Sequence, residues 1–353
     1  MKSFVYAGAP GRVVFGAHAF TSLPDEVLRL GAHRALVLST AEQSALAESA
    51  SAMLGTLSAG VHARAIMHVP MVVAKAGREE AVRTRADALV AVGGGSTTGL
   101  AKAIAMETGL PIVAVPTTYA GSEVTPIWGI TDNGAKITGR DGRALPRAVI
   151  YDPLLTVGLP RRMSLTSGLN AMAHAAEALY APDGNPISSM MAEEGLRAMA
   201  SALPRLNADP HDLEARGEAL YAAWLCGTVL GSVSVGLHHK LCHTLGGSFD
   251  LPHAELHGVV LPHALAYNAS HAPEAVARVA RALHVPDASR ALFDMLLGLK
   301  LPHSLRELGM PEDGLDGAAD LAVSNAYPNP RPLDRDAIRA LLDRCYLGQA
   351  PRP

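Results

Sequence analysis

Cysteine is almost missing from this 353-residue chain: Cys226, Cys242 and Cys345 are the only three, and they show no repeated metal-ligand or disulfide spacing. So sparse and odd a set excludes a stapled scaffold and fits a reducing compartment. Charge is scarce as well, at 18% of residues with a formal net charge of −3. That balance argues against a nucleic acid or an anionic membrane surface as the main partner and leaves a small molecule. Met1 to Phe15 lacks a long apolar block followed by a small-residue cleavage site, so no signal peptide is expected and the cytoplasm is the expected compartment. Internal repeats and long low-complexity segments are absent too. What the chain has is apolar residues, 49% of the total, enough for a large core split between two domains. One uncharged stretch, Ala219 to Leu237, is long enough to span a bilayer. It contains Gly227, Ser232 and Ser234 and runs straight into His238, His239 and Lys240, so it is expected instead as a helix buried on all sides.

The apolar residues fall into two patterns. Phe4 to Tyr6 and Arg12 to Phe15 read as short strands around the turn Gly8-Ala9-Pro10-Gly11, an opening hairpin or a pair of edge strands. Strands follow at Ala35 to Leu38, Ala63 to His68, Ala88 to Val92 and Ile112 to Pro116. Helices are expected at Leu23 to Leu30, about Ala41 to Leu57, Glu79 to Ala86 and Ala101 to Glu107. Buried strands alternating with helices imply a parallel, Rossmann-like sheet covered on both faces, which places an α/β domain over residues 1–159. Beyond Pro160 the pattern becomes helical: Ala171 to Tyr180, Ser188 to Leu206, Asp212 to His243, Ala272 to Leu283 and Asp336 to Tyr346. Residues 160–353 are therefore expected as an all-helical domain, with a cleft between the two domains as the natural place for cofactor and substrate.

The strand Leu89 to Val92 ends in Gly93-Gly94-Gly95-Ser96 and passes into a helix carrying Lys102. Consecutive glycines let backbone N–H groups approach a pyrophosphate, and the helix amino terminus favours an anion. A tight turn that binds nothing has the same look, and the run matches neither the Gly-x-Gly-x-x-Gly fingerprint nor the P-loop spacing. A second polar loop, Pro116-Thr117-Thr118-Tyr119-Ala120-Gly121-Ser122-Glu123, follows the next strand, either as nucleotide ligand or as a capped loop. The loop Ser39 to Gln43 follows the strand Ala35 to Leu38, and discrimination at a nucleotide's ribose depends on its geometry, which the sequence leaves open; Ser39 is a cofactor-binding candidate.

Six of the fifteen histidines lie between His238 and His263. His239 and His243 are four apart and project from one helix face, as Asn170 and His174 do on another helix, and His253 follows across the Gly246-Gly247 break. These four imidazoles and one amide converge if the two helices pack together. Lys240 is either a solvated charge or the partner of an anionic substrate, and His238 and His257 are set aside as ordinary core or surface residues.

In order and spacing, Gly93 to Ser96, Pro116-Thr117-Thr118, Ser167 to His174, His239-Lys240-Leu241-Cys242-His243 and Leu251-Pro252-His253 resemble the iron-containing alcohol dehydrogenase family over essentially the full chain. The resemblance implies a dehydroquinate synthase-like fold and a homodimer with the opening strands near its interface. It also implies that the members holding a divalent metal carry a carboxylate at the position of Asn170 and histidines at those of His174, His239 and His253, with His243 near the nicotinamide. Asn170 and Gly99 depart from that pattern, each standing where those members have an acidic residue. With Ala178 to Ala181, Ala223 to Gly227, His238 to Gly247 and Tyr327-Pro328-Asn329-Pro330-Arg331 they look like the maleylacetate reductase branch. That branch implies reduction of the C=C bond of maleylacetate to 3-oxoadipate with NADH or NADPH in the degradation of aromatic compounds, with a small dicarboxylate as substrate and no metal. His243, His253, His239, His174, Asn170 and Lys240 are then the catalytic candidates. The cofactor set is Gly93, Gly94, Gly95, Ser96, Thr117, Thr118 and Ser39. A metal-dependent alcohol or aldehyde dehydrogenase, a lyase of the dehydroquinate synthase-like type and a binding protein without reductase activity are the alternatives.

Overall fold

The computed structural model describes Phe4, Gly8 and residues 11–132, 135–324 and 327–352. The chain divides into two compact units, one ending at Leu159 and the other running from Pro160 onward.

The first unit is an α/β layer structure. Its strands are β1 (Arg12–Phe15), β2 (Ala35–Leu38), β3 (Ser58–His62), β4 (Ala88–Gly93), β5 (Ile112–Pro116), β6 (Ile127–Asp132), β7 (Ala135–Arg140) and β8 (Ala148–Tyr151). Six of them form one sheet in the order β1-β8-β5-β4-β2-β3, parallel throughout, and β6 and β7 pair separately as an antiparallel hairpin. The helices α1 (Leu23–Arg29), α2 (Ser44–Leu54), α3 (Met71–Arg83) and α4 (Gly95–Thr108) connect the strands. Val37, Val90, Val92, Val113 and Ile150 pack with α1 and α2 on one face, while Leu36, Leu38, Leu89 and Ala91 pack with α3 and α4 on the other. Both faces are covered, which is why β2, β4 and β5 are unbroken apolar runs.

Two expectations are corrected here. Arg12 to Phe15 pairs in parallel with β8 as an edge strand, one of the two readings given for it, while Phe4 to Tyr6 falls largely outside the described residues. The third strand is Ser58–His62, and Ala63 to His68 is a loop. An edge strand needs only one paired side, so the weakly apolar Ser-Ala-Gly-Val-His serves, and the more apolar segment turns away into His68 and Val69, both with positive φ. Helix α3 begins at Met71, eight residues ahead of its expected start.

The second unit is helical throughout its described residues: α5 (Arg161–Ala178), α6 (Pro186–Ala208), α7 (Leu213–Ser232), α8 (Leu237–Phe249), α9 (His253–Asn268), α10 (Pro273–Leu283), α11 (Ala288–Gly298), α12 (Leu315–Val323) and α13 (Arg335–Leu347). Their starts follow from local chemistry. Asn185 caps α6 through Oδ1 to the Ile187 and Ser188 N–H groups with Pro186 in the first turn, and Asp212, Asp287 and Asp334 cap α7, α11 and α13. Asp212 to His243 is two helices and not one. The segment Val233-Ser234-Val235-Gly236 has low helix propensity, and Asp183 captures both the Ser234 N–H (2.9 Å) and its hydroxyl (2.7 Å). No single described helix is long and apolar enough to cross a membrane; α7 and α8 meet both conditions only together, and they are bent by 97°.

Candidate active site

In the first unit the chain leaves β2 toward β3 on one side and re-enters at β4 on the other, so the strand order reverses between β2 and β4. In open parallel sheets that reversal opens the crevice where nucleotides bind. The loops at the carboxyl ends of β2, β4 and β5 are knit together there. Gln43 donates to Thr117 Oγ1 at 2.7 Å, and the Ser39 hydroxyl, buried, donates to the Thr40 carbonyl at 3.0 Å. Gly93 has φ +153°, and a Cβ on it would lie 2.4 Å from Thr97 Oγ1 and 2.7 Å from Gln43 Oε1. Gly94 is the N-cap of α4, and a Cβ there would meet Thr118 Cγ2 at 2.8 Å. Gly95, by contrast, has nothing within 4 Å, and the Thr97 hydroxyl beside it is buried without a partner. Gly95 and Ser96 open the helix, where backbone N–H groups lack intrahelical partners. Open space at Gly95 beside the first N–H groups of α4 makes a cradle that can accept an anionic group such as a pyrophosphate.

Lys102, one turn further on, is no phosphate ligand. Its buried ammonium donates to the carbonyls of Ser122 (2.6 Å), Thr125 (2.8 Å) and Ile127 (2.7 Å), tying the loop after β5 to α4. Gly99 also has a neighbour: a Cβ there would lie 2.8 Å from Val69 Cγ2, so Val69 fills the space an acidic side chain at position 99 would need.

In the second unit, α5, α8 and α9 bring six imidazoles together. His174 stacks on His239 with ring centroids 5.3 Å apart, and His239 lies 6.1 Å from His243. His257 sits among His174 (5.9 Å), His238 (4.9 Å), His239 (5.2 Å) and His253 (4.5 Å). His174, His238, His239 and His257 are buried, His253 is half-buried and His243 is exposed, so the cluster runs from an open rim to a closed interior. Burial first, and neighbouring imidazoles second, hold His174, His238 and His257 well below the usual imidazole range. These three are neutral at physiological pH. Asn170 is buried beside them with its Oδ1 unpartnered. Half-buried Lys240 lies 5.9 Å from the Tyr327 ring centroid and has no carboxylate partner among the described residues.

The structure adds three residues to the set read from the sequence. His238 and His257, set aside there, hydrogen-bond each other (Nε2 to Nδ1, 2.9 Å) inside the cluster. Glu177, 1% exposed, bonds the His239 Nδ1 through Oε2 and accepts the His238 backbone N–H through Oε1 at 2.9 Å. The signal for Glu177 was available, since Asn170, His174 and Glu177 fall at i, i+4 and i+7 on one helix face.

A parallel sheet with a pyrophosphate cradle, joined in one chain to a helical unit holding an imidazole cluster, defines a dinucleotide-dependent oxidoreductase. Residues 10–153 match the family described as iron-containing alcohol dehydrogenase, and residues 164–346 match the Fe-containing alcohol dehydrogenase family, C-terminal. The chain belongs to the iron-containing alcohol dehydrogenase family. It is 62% identical over 351 residues to a maleylacetate reductase of Burkholderia cepacia, covering 99% of this chain and 100% of that one. A crystal structure of maleylacetate reductase from Agrobacterium tumefaciens superposes with a TM-score of 0.97 at 55% identity, covering 99% and 100% of the two chains. A putative alcohol dehydrogenase from Ralstonia eutropha JMP134 gives 0.98 at 59% identity, with the same coverage.

The family name raises the question of a metal. One ring nitrogen from each of His174, His239 and His257 lies within 4.8 Å of the others, and His174 Nδ1, His239 Nε2 and His257 Nε2 have no partner. Three imidazoles suit a divalent ion such as zinc. No carboxylate joins them directly, because Asn170 supplies a neutral amide and Glu177 is taken up by His239 and the His238 N–H. The residues thus fit a divalent ion held by neutral donors alone.

Proposed function

We propose that this chain reduces the carbon–carbon double bond of maleylacetate with NADH or NADPH, giving 3-oxoadipate in the degradation of aromatic compounds, and that it does so without a metal. The likeness to maleylacetate reductases over the whole length supports the substrate. The observation that carries the chemistry is the cluster of imidazoles, three of them held neutral by burial, that reaches the rim at His243 and His253, with an amide at position 170.

When bound on the cradle of Gly93 to Ser96, Thr117, Thr118 and Ser39, the reduced nicotinamide supplies a hydride to the alkene carbon β to the ketone, leaving an enolate. His243 and His253, the two members at the rim, donate a hydrogen bond to the enolate oxygen, which makes a Lewis acid optional. A cluster imidazole relays a proton from solvent to the α carbon, taking one proton up on one ring nitrogen as it gives one from the other, and completes the reduction. His174 and His239 wall the pocket, and Asn170 orients one of the rings. Lys240, a cation without a carboxylate partner among the described residues, pairs with one carboxylate of the substrate. A divalent ion, if bound, would be held by His174, His239 and His257 and would supply Lewis acidity at the ketone oxygen. We infer further that the enzyme is a cytoplasmic homodimer, which is supported by three free buried cysteines and by the outer edge of β1, to which no described strand pairs.

The test follows NADH absorbance when metal-stripped protein meets enzymatically generated maleylacetate. Rapid oxidation that a chelator leaves unchanged is expected. Recovery only on adding zinc or iron would move the assignment to a metal-dependent alcohol or aldehyde dehydrogenase, the reading that the three convergent ring nitrogens favour.

A further inference from the structure

The Glu177 carboxylate is fully buried, and both of its oxygens are engaged. Oε1 accepts the backbone N–H of His238 (2.9 Å), in the first turn of α8, where N–H groups have no intrahelical partner and an anion is favoured. Oε2 bonds the Nδ1 of His239, and the nearby Tyr180 phenol is held well above its usual range by burial first and the Glu177 charge second. Asn268 exchanges two bonds with Asn329 (3.1 and 2.8 Å), whose Oδ1 accepts the Leu237 N–H at 3.4 Å. An ionised carboxylate can only accept, so His239 must keep its proton on Nδ1. Its other nitrogen, Nε2, has no partner among the described residues, and one ring nitrogen of His239 lies within 4.8 Å of one on each of His174 and His257.

We propose that Glu177 is a positioning residue that fixes His239 as the Nδ1–H tautomer, so that His239 offers the pocket a lone pair and not an N–H. The inference rests on the reductase reading above and sharpens it. His239 cannot donate to the enolate oxygen, so that donation belongs to the rim histidines His243 and His253, and His239 serves as the acceptor that aligns a donor.

The geometry supplies its own probe. In Glu177→Gln the side-chain shape is kept, but the atom facing the His238 N–H must remain an acceptor, so the amide oxygen stays there and the amide nitrogen faces His239. A donor at that point requires Nδ1 to be an acceptor, and the tautomer inverts. Long-range ¹H–¹⁵N correlations of the imidazole rings report the tautomer, with His239 assigned by the signal missing from His239→Asn. The wild type is expected to show Nδ1–H, and Glu177→Gln to show Nε2–H. The variant should lose roughly 10–100-fold in kcat, as loss of an orienting partner does, with an unchanged Kd for NADH. A wild-type His239 protonated on Nε2, an unaltered tautomer in the variant, or an inverted tautomer with unchanged kcat would each overturn the proposal. The wild-type spectrum decides it even if Glu177→Gln does not fold. That spectrum needs no substrate, so failure of the reductase reading shows separately, as wild-type protein that does not oxidise NADH with maleylacetate.

Discussion

At the scale of single residues, the glycines of the cradle divide by what surrounds them. Gly93 is glycine because the protein leaves no room: positive φ, Thr97 and Gln43 forbid a Cβ. Gly95 has no such constraint, since nothing in the protein comes within 4 Å of a Cβ there, and it opens a helix in which alanine is the better former. Only a ligand can require glycine at that position. Gly95→Ala should therefore leave Tm unchanged or slightly raised while the KM for NADH rises roughly tenfold, equivalent to about 1.4 kcal/mol of lost cofactor affinity. Steady-state kinetics at varied NADH, alongside a thermal melt, measure both, and an unchanged KM would remove Gly95 from the cradle. Gly93→Ala, by contrast, should lower Tm, since its conflict is with the protein itself.

At the scale of elements, the break between α7 and α8 decides where the histidines stand. Had Leu213 to Phe249 been one straight helix, its amino-terminal N–H groups could not have met Glu177 at His238. Gly236, the N-cap of α8, makes the corner possible: a Cβ there would lie 2.9 Å from the Pro328 carbonyl and 3.3 Å from both Asn329 Oδ1 and Glu177 Oε1. A backbone carbonyl cannot swing aside as a flexible side chain can. Gly236→Ala should cost about 1–3 kcal/mol, as overpacking does, at roughly 1–2 °C of Tm per kcal/mol for a protein of this size. It should also lower kcat, because Glu177 is displaced with the corner. Unchanged Tm and kcat would mean that the 327–329 segment yields freely. The same corner shows what a sequence can and cannot reveal. Strands such as Ala35–Leu38 and Ile112–Pro116 were legible because both of their faces are buried, and His239 and His243 because helical spacing is local. The hairpin Ile127–Asp132 with Ala135–Arg140 is only partly covered and shows no apolar run, so it left no pattern. The break at Val233 to Gly236 is set by Asp183, fifty-one positions away in sequence from Ser234, and no local reading finds that partner. His257 falls four residues after His253 on one face of α9, so spacing does tie the two together; what spacing does not give is the packing of that face against α5 and α8.

At the scale of the whole molecule, folding buries imidazoles in the uncharged form, and that couples stability to pH. His174, His238 and His257 are held well below the usual range, and His263, outside the cluster and edge-on to Phe293 at 6.2 Å, is pushed down to about 4 by burial first and Arg344 second. In each case the unfolded chain binds a proton at higher pH than the folded one. The stabilisation is therefore complete above the unfolded pKa near 6.5 and is lost as pH falls toward the folded value. For His263 alone the loss between pH 7.5 and pH 5 is on the order of 2 kcal/mol. The carboxylates that ion pairs hold low, such as Asp141 at about 2 beside Arg143, weaken the fold only at lower pH, so the two windows separate. Urea unfolding at stepped pH should show stability declining from about pH 6.5, with a shallower slope in His263→Asn whatever that variant's absolute stability. Equal slopes in the two proteins would show that His263 takes up its proton in the folded state without cost, and that the acid sensitivity belongs to the cluster alone.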